Sequence, residues 1–195
     1  MLLKLTYDRQ RAVKYAQKWA LDRNPLFLDF TGRGGDCTNF VSQCIFAGCG
    51  VMNYTPTFGW YFISSDDRAP AWTGVDELYN FLTGKEDFAS ENGGTGPYGQ
   101  NATVARTVEL GDVIQLQNTN GDYYHTLIIS GFTESDVLVC AHTDDSLDRP
   151  LSTYNYAALR VIHIEGARLF FDNDKIFDDL YNGIALPTES NTARQ

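Results

Sequence analysis

Cysteine and histidine are scarce in this chain, four of the first and three of the second, so any chemistry built on them has few arrangements. Cys37 follows Gly34-Gly35-Asp36 and precedes Thr38-Asn39-Phe40-Val41-Ser42-Gln43. The pattern reads as a glycine loop, then a cysteine, then a short amphipathic helix. At a helix N-terminus the partial positive charge favours thiolate over thiol. The glycines let the backbone turn sharply and leave room for a substrate. Cys37 is the candidate nucleophile. Such a cysteine needs a base within hydrogen-bond reach and a third group to orient that base. His163, inside Val161-Ile162-His163-Ile164, is read as a strand histidine with no special role. His125 opens the run Thr126-Leu127-Ile128-Ile129, and His142 closes the run Val137 to Ala141. If these runs form a hairpin turning at Thr133-Glu134, position 125 faces position 142 on one side of the sheet, with Cβ atoms about 5 Å apart. A loop longer by two residues leaves them diagonal but still on one side.

That register defines an expected mechanism. The Sγ of Cys37 attacks a carbonyl carbon. His125 takes the thiol proton and later protonates the leaving amine. His142 orients His125 through its other ring nitrogen. Asp144 competes for this role, because a carboxylate is the more usual third group. Backbone N–H groups at the helix start hold the oxyanion, with Asp36 nearby. Asp36 itself reads as a helix cap rather than a catalytic acid. Asp36, Trp60, Tyr61 and Trp72 are the candidate substrate contacts, although aromatic residues in such an insert more often anchor loops. Two histidines and a cysteine could also bind zinc, but a helix-start cysteine suits a free thiolate better. No GxSxG elbow, HExxH, P-loop or strand-linked GxGxxG is present, and Asp172-Asn173-Asp174 lacks the glycine and glutamate of a calcium loop. No cofactor and no metal are called for.

The elements that must position these residues follow from periodicity. Ala12, Val13, Ala16, Trp19 and Ala20 recur at helical spacing, predicting a helix from Tyr7 to about Asp22, capped by Thr6 or Asp8 and stopped by Asn24-Pro25. A second helix is predicted from about Thr38 to Ala47, with Phe40, Val41, Cys44 and Ile45 as its apolar stripe and Gly48 and Gly50 as terminators. A short helix is predicted from Val75 to Leu82, and Glu91 to Pro97 reads as a loop. From Asp112 the period changes to two. Asp112–Gln117, Tyr123–Phe132, Val137–His142 and Leu159–Ile164 read as strands of an antiparallel meander. A short helix near Lys175 to Tyr181 and a disordered end from Pro187 to Gln195 complete the reading. Helices followed by strands give an α+β class. The whole chain, 1–195, reads as one domain, with a core over about 7–165 and an extension over 166–195.

Composition narrows the partners. A net charge of −10 argues against nucleic acid and against anionic lipid. No apolar run approaches the roughly 20 residues that span a bilayer, and Met1 to Leu5 is too short for a signal peptide. The chain is then either cytosolic or separated from its export signal, two cases the sequence leaves equal, as it does the oligomeric state. Cys44 and Cys140 read as small buried apolar residues and Cys49 as a turn residue.

Tyr7-Asp8-Arg9-Gln10-Arg11-Ala12-Val13-Lys14-Tyr15-Ala16, the Asn24-Pro25 break, Gly35 to Gln43, Gly111-Asp112-Val113-Ile114 and Ala141-His142-Thr143 resemble the bacterial Putative amidase domain. That family is related to the NlpC-type and CHAP cysteine peptidases and amidases of cell-wall turnover. The likeness covers about residues 7 to 165, most specifically at Asp36 to Gln43. It implies a papain-like fold, with the nucleophile on Cys37, the base on His125 and the third polar residue on His142. NlpC-type enzymes often carry a histidine at that third position. The expected activity is hydrolysis of amide bonds in peptidoglycan stem peptides or related cell-wall fragments. Two alternatives stay open: an acyltransferase with the same residues, and a non-catalytic binding module using the aromatic insert.

Overall fold

The computed structural model describes residues 2–84, 94–102, 108–170 and 181–183. Asp8 caps the first helix, α1 (Arg9–Trp19), by accepting a bond from the Arg11 amide. The second, α2 (Cys37–Cys49), ends at Gly50, whose left-handed φ of 68° lets its N–H reach back to the Phe46 carbonyl. Gly48 does not terminate α2. It lies inside the helix, at a point where a Cβ would stand 2.3 Å from the Tyr7 ring. Two further helices, α3 (Pro70–Thr73) and α4 (Val75–Thr83), follow; the first was not foreseen. The expected helix near Lys175 and the end from Pro187 lie outside the described residues.

The strands are β1 (Leu2–Leu5), β2 (Gly96–Ala102), β3 (Val113–Gln117), β4 (Tyr123–Phe132), β5 (Val137–Ala141), β6 (Ser146–Pro150) and β7 (Ala158–Phe170). All pairings are antiparallel, so the molecule is α+β as the element order predicts. The meander β3-β4-β5-β6 is present, but β7 returns to pair with β3 rather than extending the far edge. β3 and β1 share one edge of β7 end to end, and β2 runs along the other. β1, β2 and β6 carry no strand signal in the sequence. They are short, glycine-containing or polar, and their pairing is long-range.

The sheet separates two cores. Val113, Ile128, Cys140 and Ile162 pack with Phe40, Val41, Cys44 and Ile45 of α2 and with Ala12 and Ala16 of α1. On the other face Ile114, Leu116, Leu127, Ile129, Val139 and Ala141 form a second cluster. Cys44 and Cys140 are fully buried in the first, while Cys49 closes α2 instead of standing in a turn.

The register of β4 with β5 departs from the expected hairpin at one residue. Phe132 pairs with Val137, which centres the turn on Glu134-Ser135. That change alone keeps residues 125 and 142 on one side. Between the Ile129–Val139 and Gly131–Leu138 pairs, however, Ser130 is an extra residue, a β-bulge. Beyond it Ile128 pairs with Cys140, so continuing the ladder sets His142 beside Thr126 and not beside His125. A slip of one residue reverses every side chain. His142 therefore joins the face against α2, and His125 joins the row of Leu127 and Ile129.

Candidate active site

The start of α2 is buried on every side. From Asp36 to Ile45 no residue is exposed, so the helix is not amphipathic as expected. Its polar residues are internal hooks. Asn39 donates to the Leu28 carbonyl and accepts from Trp72 Nε1 at 2.8 Å. Ser42 donates to the Trp72 carbonyl and accepts from Trp60 Nε1 at 3.0 Å. Gln43 accepts from the Tyr15 hydroxyl. Buried polar groups of this kind must be paired, and here they tie α2 to the segments around Leu28, Trp60, Trp72 and Tyr15.

Trp60 and Trp72 are thus not substrate contacts. Both rings are fully buried, 4.8 Å apart, and their N–H groups are spent on α2. Asp36 is not one either, because its carboxylate is enclosed. Oδ1 accepts from the Phe30 amide and from Asn39, and Oδ2 lies 2.6 Å from His142 Nδ1. Its side chain does not cap α2, and its own N–H donates to Thr143 Oγ1 at 2.7 Å. Tyr61 stays half-buried, 5.5 Å from the Tyr54 ring.

His142 cannot orient His125. Its Nδ1 meets Asp36 and its Nε2 meets the Trp19 carbonyl at 2.8 Å, while its ring stacks on Phe40 at 3.9 Å. Both ring nitrogens are thus held, one by a carboxylate and one by a carbonyl. The Asp36–His142 pair joins the end of α1, the start of α2 and the end of β5. Arg23 supports the same junction through a two-pronged contact with Asp145 at 2.9 and 3.0 Å, and lies 3.4 Å from Asp29.

Cys37 is 7% exposed, and among the described residues its sulfur has one polar neighbour, Thr38 Oγ1 at 3.9 Å. No hydrogen bond joins it to His125. His125 is equally enclosed, and its Nε2 has no partner among the described residues. Burial pushes its imidazole down to about 4; the negative charge of Asp144 opposes that shift and Arg149 adds to it. Asp144 is in turn paired with Arg149, whose guanidinium lies over the Tyr154 ring, 6.0 Å from His125. Of the two orienters weighed for His125, Asp144 is the one whose field reaches it.

The depressed value makes His125 an acid-sensitive point. Its folded value lies below the ordinary 6.5, so between the two the unfolded chain binds a proton that the folded chain does not. The stability involved is complete above about pH 6.5 and is lost as pH falls towards 4, up to about 3 kcal/mol. Urea unfolding of the wild type and of His125→Gln at pH 7 and pH 4.5 measures it. The wild type should lose about 2–3 kcal/mol more than the variant over that interval. Equal losses would contradict a buried neutral imidazole.

His163 has more to do than a bare strand histidine. Its Nδ1 lies 2.9 Å from Asp112 Oδ2, in a cluster where Asp112 also accepts from Arg9 at 2.7 Å and from the amides of Glu109 and Ile164. Arg9 donates further to the Leu110 and Ile164 carbonyls, and Tyr7 donates to the Gly111 carbonyl. Gly111, at φ 79°, allows the Tyr7 ring to pack against the turn. Among the described residues no group of three or more His, Cys, Asp or Glu is placed to hold a metal ion, and no helix is long and apolar enough to cross a membrane.

One polar set escaped the sequence reading. Gln115 and Thr126 are fully buried on the sheet face against α2, and Thr126 Oγ1 lies 2.8 Å from Thr38 Oγ1. The available signal was a polar side chain inside each of two apolar strand runs, Val113-Ile114-Gln115-Leu116 and Thr126-Leu127-Ile128.

An α+β domain that buries a polar-hooked helix behind a glycine loop, with a cysteine at its first position, is the class that fold and site define. The chain belongs to the Putative amidase domain family, whose profile matches residues 6–164. It is 32% identical over 144 residues to "Uncharacterized protein YhbB" of Bacillus subtilis (strain 168), covering 72% of this chain and 42% of that protein. The chain thus spans less than half the length of this relative. No solved structure matches.

Proposed function

We propose that this domain is a cysteine amidase with a papain-like fold, related to NlpC-type and CHAP enzymes, in which Cys37 is the nucleophile, His125 the base and Asp144 the charge that biases the base. The observation that carries the reading is the state of the three histidines. His142 has both ring nitrogens engaged and His163 is held by Asp112, whereas His125 keeps Nε2 without a partner among the described residues. Of the three, His125 is the one with a buried ring nitrogen left unpaired among the described residues. Catalytic contacts are often long without substrate and tighten when it binds, and the reading requires Cys37 and His125, which share no hydrogen bond here, to be brought together in that way.

The steps follow. His125 takes the Cys37 proton as Sγ bonds to the carbonyl carbon. The tetrahedral oxyanion sits by the first-turn N–H groups of α2, which the Asp36 side chain leaves uncapped. His125 then gives its proton to the amine as the C–N bond breaks. Water, deprotonated by His125, cleaves the thioester and restores the thiol. Stem-peptide amides of peptidoglycan are the proposed substrates, on the analogy with cell-wall relatives. An acyltransferase would use the same groups with an amine or alcohol in place of water. The binding-module reading loses its surface with the burial of Trp60 and Trp72.

The test is amide hydrolysis of stem peptides by three variants. His125→Gln should lower kcat by about a thousandfold or more, and Asp144→Asn by about ten- to a hundredfold. His142→Gln should lower stability first, because it opens the Asp36 pair. Full activity in His125→Gln would overturn the assignment of the base. Added amines diverting the product would turn the hydrolase into a transferase.

A further inference from the structure

The helix-facing side of the sheet carries a line of polar groups that ends at the candidate nucleophile. Arg160 is held between the Tyr79 and Tyr123 rings at 3.8 and 3.7 Å and pairs with Asp76 at 2.7 Å. Its Nε donates to Gln115 Oε1 at 2.7 Å. An arginine only donates, so this contact fixes which end of the Gln115 amide is oxygen. Gln115 Nε2 then donates to the Val75 carbonyl at 2.7 Å and to Thr126 Oγ1 at 3.4 Å. Thr126, an acceptor from Gln115, has its own proton to place, and Thr38 Oγ1 lies 2.8 Å away. With that bond made, the Thr38 proton has Cys37 Sγ, at 3.9 Å, as its partner.

We infer that Arg160, Gln115, Thr126 and Thr38 form a one-way chain of donors whose last member, the Thr38 hydroxyl, points its proton at Cys37 and stabilises the sulfur when it is charged. The inference rests on Cys37 as the reactive thiol of the proposed amidase. Each donor polarises the next, so the aligned hydrogen bonds favour negative charge at the far end, while Asp76 offsets the charge of Arg160 itself. It also accounts for polar side chains in a layer otherwise filled by Val113, Ile128 and Ile162. A buried glutamine and a buried threonine there cost free energy unless paired, and this is where they are paired. Thr38 acts on the thiolate directly; Thr126 and Gln115 are positioning residues that act through it.

Alkylation of Cys37 by iodoacetamide reads the thiolate and needs no amide substrate. The rate is followed from pH 5 to pH 9 by mass spectrometry of the Cys37 peptide, in the full chain. Thr38→Val should move the profile to higher pH and slow labelling at pH 6.5 by about three- to tenfold. Thr38→Ser, which restores the hydroxyl, should return it to within about twofold of the wild type. Thr126→Val should shift it the same way by less. Thr38→Val/Thr126→Val replaces both hydroxyls by methyls, a change that leaves no unpaired partner between them, and should label no more slowly than Thr38→Val alone. A wild-type profile in Thr38→Val would overturn the inference. So would effects of the two valines that add in full, since a chain predicts that they overlap. Absence of amide hydrolysis with these labelling results intact would sink the amidase and leave the donor chain standing.

Discussion

Replacing Cys37 by alanine is expected to lower amide hydrolysis by at least about a thousandfold while leaving the fold in place. The size of the loss follows from the role. Without sulfur there is no thioester, and only binding and the helix-start amides remain to help water attack. The structural cost is small, because the side chain is short and Thr38, its one polar neighbour among the described residues, keeps its bond to Thr126. Stability should fall by about 1 kcal/mol, a few degrees in Tm. Released amine from purified stem peptides gives the first number and a thermal melt gives the second. Activity within tenfold of the wild type, with an intact melt, would remove Cys37 as the nucleophile. Iodoacetamide labelling offers a reading independent of substrate. Burial pushes the thiols of Cys44 and Cys140 up, and that of Cys49 up to about 12. Selective modification at Cys37 is therefore expected, and equal labelling of all four cysteines in the folded chain would contradict it.

The largest stability effect is expected away from the cysteine, at Asp112. Its carboxylate is fully enclosed and accepts from Arg9, His163 and the amides of Glu109 and Ile164. Asp112→Ala removes all four acceptor contacts at once. It strands two backbone N–H groups and leaves Glu109, which is half exposed, as the carboxylate beside Arg9, with the Leu110 and Ile164 carbonyls as its other acceptors. Breaking a buried, hydrogen-bonded charge pair on one side costs about 3–5 kcal/mol. Urea unfolding at pH 7 measures it. A loss below about 1 kcal/mol would mean that the junction of α1, β3 and β7 is held by packing alone. The two variants separate chemistry from stability: Cys37→Ala should silence the chain and leave it folded, whereas Asp112→Ala should weaken the fold without removing a residue of the proposed chemistry.

The helices were legible where local rules act alone. Ala12, Val13 and Ala16 at helical spacing, with Asp8 ahead of them, predict α1, and Asp8 is the cap. Gly50 ends α2 because only a residue tolerant of positive φ fits there. The alternation of Tyr123 to Phe132 marks β4 over its full span. β1 and β6 carry no such local signal, since their identity as strands depends on β7 and β5 being beside them.

Taken by itself, the sequence determined the cysteine at a helix start, the family block around it, the α+β order and the shortlist of histidines. These rest on residue type and spacing within ten or so positions. Only the tertiary structure decided which neighbours each histidine meets. One residue, Ser130, bulges from β4 and changes the parity of the ladder. It sends His142 to Asp36 and Trp19, and it leaves His125 on the other row with the field of Asp144. The side of a sheet on which a residue emerges depends on every pairing between it and the turn, so a single unpaired residue outweighs a correctly placed pair of histidines. The same holds for Trp60 and Trp72. Their type suggested a surface, and their hydrogen bonds to Ser42 and Asn39 placed them in the core.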